Sequence, residues 1–146
     1  MVKREHFSAA ICPISRALDH IGDRWTLLII RDAFDGKARF TEFQSSLGIA
    51  RNILTDRLRS LVENDIMYTA PTKSGSAYQE YRLTYRGKKL FPLMVALRQW
   101  GEEFLYSANE HHSLLIDLET GEELPIMQPI NMSGRFVDPD RVLVVE

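Results

Sequence analysis

Apolar and polar positions along this 146-residue chain change period several times, and each change marks an element. From Pro13, which can open a helix because its missing N–H costs nothing there, Ile14, Leu18 and Ile21 recur at helical spacing as far as Gly22. Asp23 is suited to cap a second helix, in which Trp25, Leu28, Ile29 and Ala33 make an inward stripe before AFDGKAR turns the chain. Thr41 followed by Glu42 predicts the start of a short third helix that Gly48 ends. The fourth, in ARNILTDRLRSLVEND, sets Leu54, Leu58, Leu61 and Val62 towards a core and Asn52, Asp56, Arg59 and Glu63 away from it.

Beyond Asn64 the period becomes two. IMYTAPT and AYQEYRLT alternate as strands, and KSGS between them supplies the turn of a hairpin. Thr84 then predicts the cap of a long helix in which Leu90, Leu93, Leu97, Trp100 and Phe104 repeat at 3-4-3-4 spacing, the seam of a helix packing along another, with a kink at Pro92. The rest is rich in β-formers, with turn signals at Thr120-Gly121 and Asp138-Pro139, and reads as a short β appendage. The expected fold class is mainly α with small β (α+β), with residues 1–108 as one domain and 109–146 as an appendage that is not an independent domain. Two helices joined by the tight SLGIA connection and followed at once by a hairpin have the order of a winged helix-turn-helix.

Composition narrows the function classes. At 45% hydrophobic and 26% charged the chain is an ordinary globular one, and no apolar run approaches the ~20 residues of a membrane span. The start lacks the apolar core of a signal peptide, so a cytoplasmic location and no membrane partner are expected. The net charge of −2 hides an uneven distribution: Lys37 to Lys89 holds ten Lys/Arg against five Asp/Glu, a local +5 that leaves −7 elsewhere. A basic middle in an acidic chain suits a polyanion-facing surface, because phosphate binding follows local cations and not the overall charge.

The residues that fit such a surface are Asn52, Thr55 and Arg59 on the outer face of the fourth helix, with Arg51 at its start. Amide and guanidinium groups can make two-pronged contacts to purine edges, and a threonine can meet a thymine methyl or a phosphate. Asp56 either accepts from a cytosine amine or orients Arg57 or Arg59. Arg39, before the third helix, and Lys73, Ser74 and Ser76 at the hairpin tip suit phosphates; Arg24 suits a phosphate or a salt bridge to Asp19 or Asp23. No GxSxG, P-loop or GxGxxG occurs, His111 and His112 diverge, and His20 is too far along its helix to serve Cys12 as a base, so neither an enzyme nor a cofactor or metal is expected. Cys12, the only cysteine, admits two readings: a thiolate favoured by the N–H groups of Ser15 and Arg16 at a helix start, or a small packed residue between Ile11 and Ile14.

CPISRALDHIGDRWTLLIIRDAFDGKARFTEF, GIARNILTDRLRSLVENDI, EYRLTYRGKKL and LRQWG, in that order, resemble the HxlR-type transcriptional regulators over roughly Cys12 to Leu105. The resemblance implies a homodimeric winged-helix protein that binds double-stranded DNA, with dimer contacts from the first and last helices, here Ile14 and Leu18 with Leu90, Leu93, Leu97, Trp100 and Phe104. It also implies, from several such proteins, oxidant or electrophile sensing by the cysteine before the proline, here Cys12. Two alternatives stand beside it. One is the same scaffold controlled by a small-molecule effector bound near Trp25, Phe91 or Trp100; the other is a protein-interaction adaptor that binds no DNA.

Overall fold

The computed structural model describes residues 6–72 and 78–146, which fall into two compact units divided between Phe91 and Pro92. In the first unit α1 (Pro13–Ile21) opens on Pro13 and stops at Gly22, and α2 (Arg24–Phe34) follows at once. Asp23 caps α2 as expected, accepting the Thr26 N–H at 3.0 Å and the Thr26 hydroxyl. The inward stripe of α2 is rotated by one residue from the expected one: Thr26, Ile29 and Ile30 are buried, whereas Trp25, Leu28 and Ala33 are half-buried. The buried face is the one that packs against α3, α4 and β2.

α3 (Phe40–Leu47) is capped two residues earlier than the expected Thr41; Arg39 is its cap residue, and Glu42 reaches back to accept the Ala38 N–H at 3.3 Å. Gly48 ends it in the left-handed conformation at φ 60°, where a side chain would be strained. α4 (Arg51–Glu63) buries Leu54, Leu58 and Leu61, with Val62 half-buried, and Ile49 tucks beneath it. These side chains, with Ile29, Ile30 and Phe43, form the core; each stabilises the fold by roughly 1.5–3 kcal/mol through removal from water. The end of α4 is closed by Asp65 N–H to Val62 O (3.0 Å) and Ile66 N–H to Leu61 O (2.9 Å), with Asp65 at φ 57°.

β1 (Met67–Pro71) and β2 (Gln79–Leu83) pair antiparallel, from Met67 with Leu83 to Pro71 with Gln79. The tip residues Lys73, Ser74 and Ser76 lie outside the described residues. The free edge of β2 is occupied by the chain before α3, through Tyr81 N–H to Ala38 O at 2.7 Å and an Arg39–Glu80 bridge. The helix expected from Thr84 onward is two helices. Thr84 caps only the short α5 (Tyr85–Lys88), accepting the Gly87 N–H at 3.0 Å, and α6 (Phe91–Phe104) starts anew. Pro92 therefore sits in the first turn of α6 and kinks nothing: lacking an N–H, it cannot continue a helix but can begin one. Leu90, expected on the seam, falls in the turn between the two helices and is half-buried.

The second unit contains the rest of α6 and the tail. The β-formers of the tail make two isolated bridges, Ile116 with Glu123 and Ile130 with Phe136, and no full strand among the described residues. The turns fall where expected: Gly121 at φ 74° after an Asp117 turn, and Asp138 capping a 3-10 turn at Pro139–Arg141. Among the described residues no helix is long and apolar enough to cross a membrane.

Candidate nucleic-acid interface

The outer face of α4 is built by subtraction. With Leu54, Leu58 and Leu61 pulled into the core, Arg51, Asn52, Thr55, Asp56 and Arg59 are all exposed. Among the described residues the Asn52 amide and the Arg59 guanidinium take no side-chain partner, so their hydrogen-bonding groups point at solvent in a helical frame. Arg51 lies over the Phe40 ring, 5.3 Å from its centroid, which holds the cation at the helix start. The Thr55 hydroxyl donates to Arg51 O at 2.8 Å, leaving its methyl and an acceptor lone pair free.

The charged groups between these divide by task. Arg57 points off the outer face and joins two helices, donating to Asp23 at 2.9 Å and to Asp56 at 2.7 Å. Burial disfavours the charged form of Asp23, yet the Thr26 hydroxyl and N–H and the Arg57 guanidinium outweigh it and hold the carboxyl below its usual range. Asp56 is thus an orienting partner for Arg57. Arg24 makes neither of the ion pairs expected for it: Asp23 is taken by Arg57 and Thr26, Asp19 accepts the Phe7 N–H at 2.6 Å, and Arg24 lies over Trp25 at 4.9 Å. The Asp23–Arg57 tie is the feature that sequence reasoning missed, because its partners are 34 residues apart.

Arg39 is exposed beside the hairpin, anchored by its bridge to Glu80 and 3.9 Å from Glu42. Beside it lies an open groove of about 960 Å³, with Phe34, Tyr68, Tyr81 and Phe91 among its walls; of the three aromatics named for an effector, Phe91 is the one that lines it. Cys12 caps α1 and is exposed, which removes the packing reading within one chain. The Ser15 N–H, the Ser15 hydroxyl and the Ile14 N–H hold its thiol below the usual value. The Arg16 N–H, expected to help, donates instead to the Cys12 carbonyl at 3.3 Å. Ile14 and Leu18 on α1 are exposed, as are Leu93, Leu97, Trp100 and Phe104 on α6.

The sequence and fold have clear relatives. Residues 20–109 match the model of the HxlR-like helix-turn-helix family. The uncharacterised HTH-type transcriptional regulator Rv3095 of Mycobacterium tuberculosis is 48% identical over 92 residues, 63% of this chain and 58% of its own length, so the match spans little more than half of that regulator. PA1607, assigned as a transcription factor, is similar in crystal structure with a TM-score of 0.90 at 47% identity, covering 95% of this chain and 97% of that one. The redox regulator HypR in its reduced form is similar with a TM-score of 0.58 at 32% identity, over 63% of this chain and 92% of its own. With a winged-helix fold, this signature and these relatives, the chain belongs to the HxlR-like helix-turn-helix family, whose members are transcriptional regulators and not enzymes.

Proposed function

We propose that the protein is a homodimeric, sequence-specific regulator that reads double-stranded DNA with the outer face of α4. The observation that carries this reading is the pair of unpartnered, exposed side chains Asn52 and Arg59 on a helix that its core residues hold rigidly. Arg51 and Thr55 extend that face, while Arg39, Arg24 and the hairpin residues Lys73, Ser74 and Ser76 meet phosphates and set the register. Dimerisation through the exposed apolar residues of α1 and α6 presents two copies of α4 about one DNA turn apart, ~34 Å, so the operator is near-palindromic. Fluorescence anisotropy against the promoter fragments beside its gene is expected to give sequence-specific binding that weakens at least tenfold between ~50 and ~200 mM salt. No binding even at ~50 mM salt would favour the adaptor reading.

Cys12 supplies the control. Its exposure and its helix-start hydrogen bonds favour the thiolate, and the similarity to HypR, a redox regulator by name, points the same way. Diamide takes two electrons from two thiols, joining them as a disulfide and itself becoming the hydrazine; with one cysteine per chain, Cys12 must pair with the second copy or with a small thiol. Because the folded thiol titrates low, the midpoint of its alkylation rate against pH is expected below that of a free thiol, and Ser15→Ala should move it upward. Diamide should alter operator binding of the wild type and leave Cys12→Ser unaffected; equal responses of the two would remove Cys12 from the control.

A further inference from the structure

We infer that the groove beside Arg39 is a binding site for a small aromatic anion, a planar ring carrying a carboxylate or a phosphate, and that its occupant adjusts the grip of the protein on DNA. The second clause rests on the DNA reading above; the first stands without it.

Every described residue that lines the groove belongs to the first unit, so one protomer supplies the site. The end of α2 and the turn after it meet the hairpin there, with Lys88 and Phe91 closing one side. The turn is fixed by Gly36 at φ 94° and by Lys37 N–H to Asp32 O at 3.0 Å, and it is stitched to β2 through Ala38 and Arg39. The groove is thus built into the fold. Its volume of about 960 Å³ falls at the upper end of the ~300–1,000 Å³ that small-molecule sites occupy.

The walls suit a ring. Phe34 and Phe91 pack against each other at 5.4 Å between centroids and 52° between planes, and Tyr68 and Tyr81 line the groove from the two strands. Phe91 is 38% exposed and Tyr68 45%, so aromatic surface stays open to water. An aromatic guest removes that surface from water and meets rings already in place, at tilted or offset geometry.

The charge suits an anion. Of the described lining residues, Lys37, Arg39, Arg82 and Lys88 stand against Glu42 and Glu80. The two acids are matched by the arginines: Arg82 donates to Glu80 through Nε at 3.1 Å and through Nη2, and Arg39 lies 3.9 Å from Glu42. Lys37 and Lys88 are left with no side-chain partner among the described residues, and Lys37 is half-buried. An ammonium partly withdrawn from water without a counter-charge is unfavourable, and an anionic guest relieves it. Two such ammoniums set the charge of the guest at one or two. A DNA backbone is the poorer match, since its phosphates gain from the cations but nothing from four aromatic walls.

The same groove joins the parts that dock on DNA. Ala38 and Arg39 lead into α3 and pair with β2, while Tyr68 and Tyr81 belong to the hairpin itself, so a guest between them sets the hairpin relative to the helix pair. A guest that fits one setting better than another shifts operator affinity by the ratio of its two affinities, and the operator shifts the affinity for the guest by the same factor.

Calorimetric titration of the full chain with naphthoate, without DNA, is expected to show one site per protomer with a dissociation constant on the order of 100 µM. Naphthyl phosphate tests the other head group, and the tighter of the two names the one the site prefers. Naphthamide keeps the ring without the charge, and cyclohexanecarboxylate keeps the charge without the ring; each should bind at least tenfold more weakly. Either one binding equally well overturns the assignment. So does a Lys37→Gln, Lys88→Gln double variant that takes naphthoate like the wild type, for neither lysine has a partner whose loss could disturb the fold. If the wild type takes neither anion and the double variant loses operator affinity, the lysines are phosphate contacts and the groove is no small-molecule site. Saturation with the tighter anion is expected to change operator affinity at least fivefold by anisotropy, with the reciprocal change in calorimetry. Independent binding of the two overturns the coupling, whereas a chain that takes the anion and no operator upholds the site and fails the DNA reading alone.

Discussion

Replacing Asn52 and Arg59 together by alanine is expected to weaken operator binding by two to three orders of magnitude and leave the fold intact. Each two-pronged contact to a base edge discriminates by about 1–3 kcal/mol, and two on one helix face act on neighbouring base pairs. The fold should not respond, because both side chains are exposed and, among the described residues, have no partner to lose. Arg57→Ala, two residues from Arg59, is the informative contrast. It strips Asp23 of its guanidinium and should lower stability before it alters base preference. Anisotropy on the operator and a scrambled duplex, with thermal melts of each variant, separates the effects. A double variant that binds the operator like the wild type would take α4 out of the interface.

The largest expected stability loss is at the other end of the hairpin. Gly87→Ala should cost about 3 kcal/mol, since a Cβ there would stand 2.2 Å from the Ile66 carbonyl oxygen and 3.1 Å from a Leu83 methyl. That carbonyl cannot retreat, because it already accepts the Thr84 N–H at 3.0 Å, and the Thr84 hydroxyl donates to Asp65 O at 2.6 Å. The Y-x-L-T-x-x-G stretch, Tyr81 to Gly87, is therefore a clamp: Tyr81 holds the chain before α3, Leu83 pairs with Met67, Thr84 caps α5, and Gly87 lets α5 touch the junction of α4 and β1. Gly101→Ala, with no atom within 4 Å of the added carbon, should be neutral or stabilising by up to ~1 kcal/mol through helix propensity. Urea denaturation of both variants measures the difference, and equal stabilities would refute the clamp.

Much of the architecture was legible because its causes are local. Asp23 caps the helix it precedes, Gly48 ends α3, and the repeat of leucines in α4 orients its polar face, all within a few residues of chain. The expectations that failed were those in which two local signals competed. Thr84 and Pro92 both mark helix starts, and reading one long helix between them overlooked that the second start implies an end before it. Trp25 fell on the expected inward stripe of α2, but packing against α3, α4 and β2 buried Thr26, Ile29 and Ile30 and left Trp25 half-buried.

By itself the sequence determined the order of elements, the family signature and the polar face of α4, since helical period, capping and turn chemistry act over one or two turns. Only the tertiary structure decided what Arg57 does, because its partner Asp23 lies 34 residues away along the chain, whereas the helical period had already set Arg59 on the outer face. It decided likewise that Cys12 is exposed and that the β-formers of the tail bury almost nothing in their own protomer. Exposure is a property of everything packed around a residue, and no local pattern contains it.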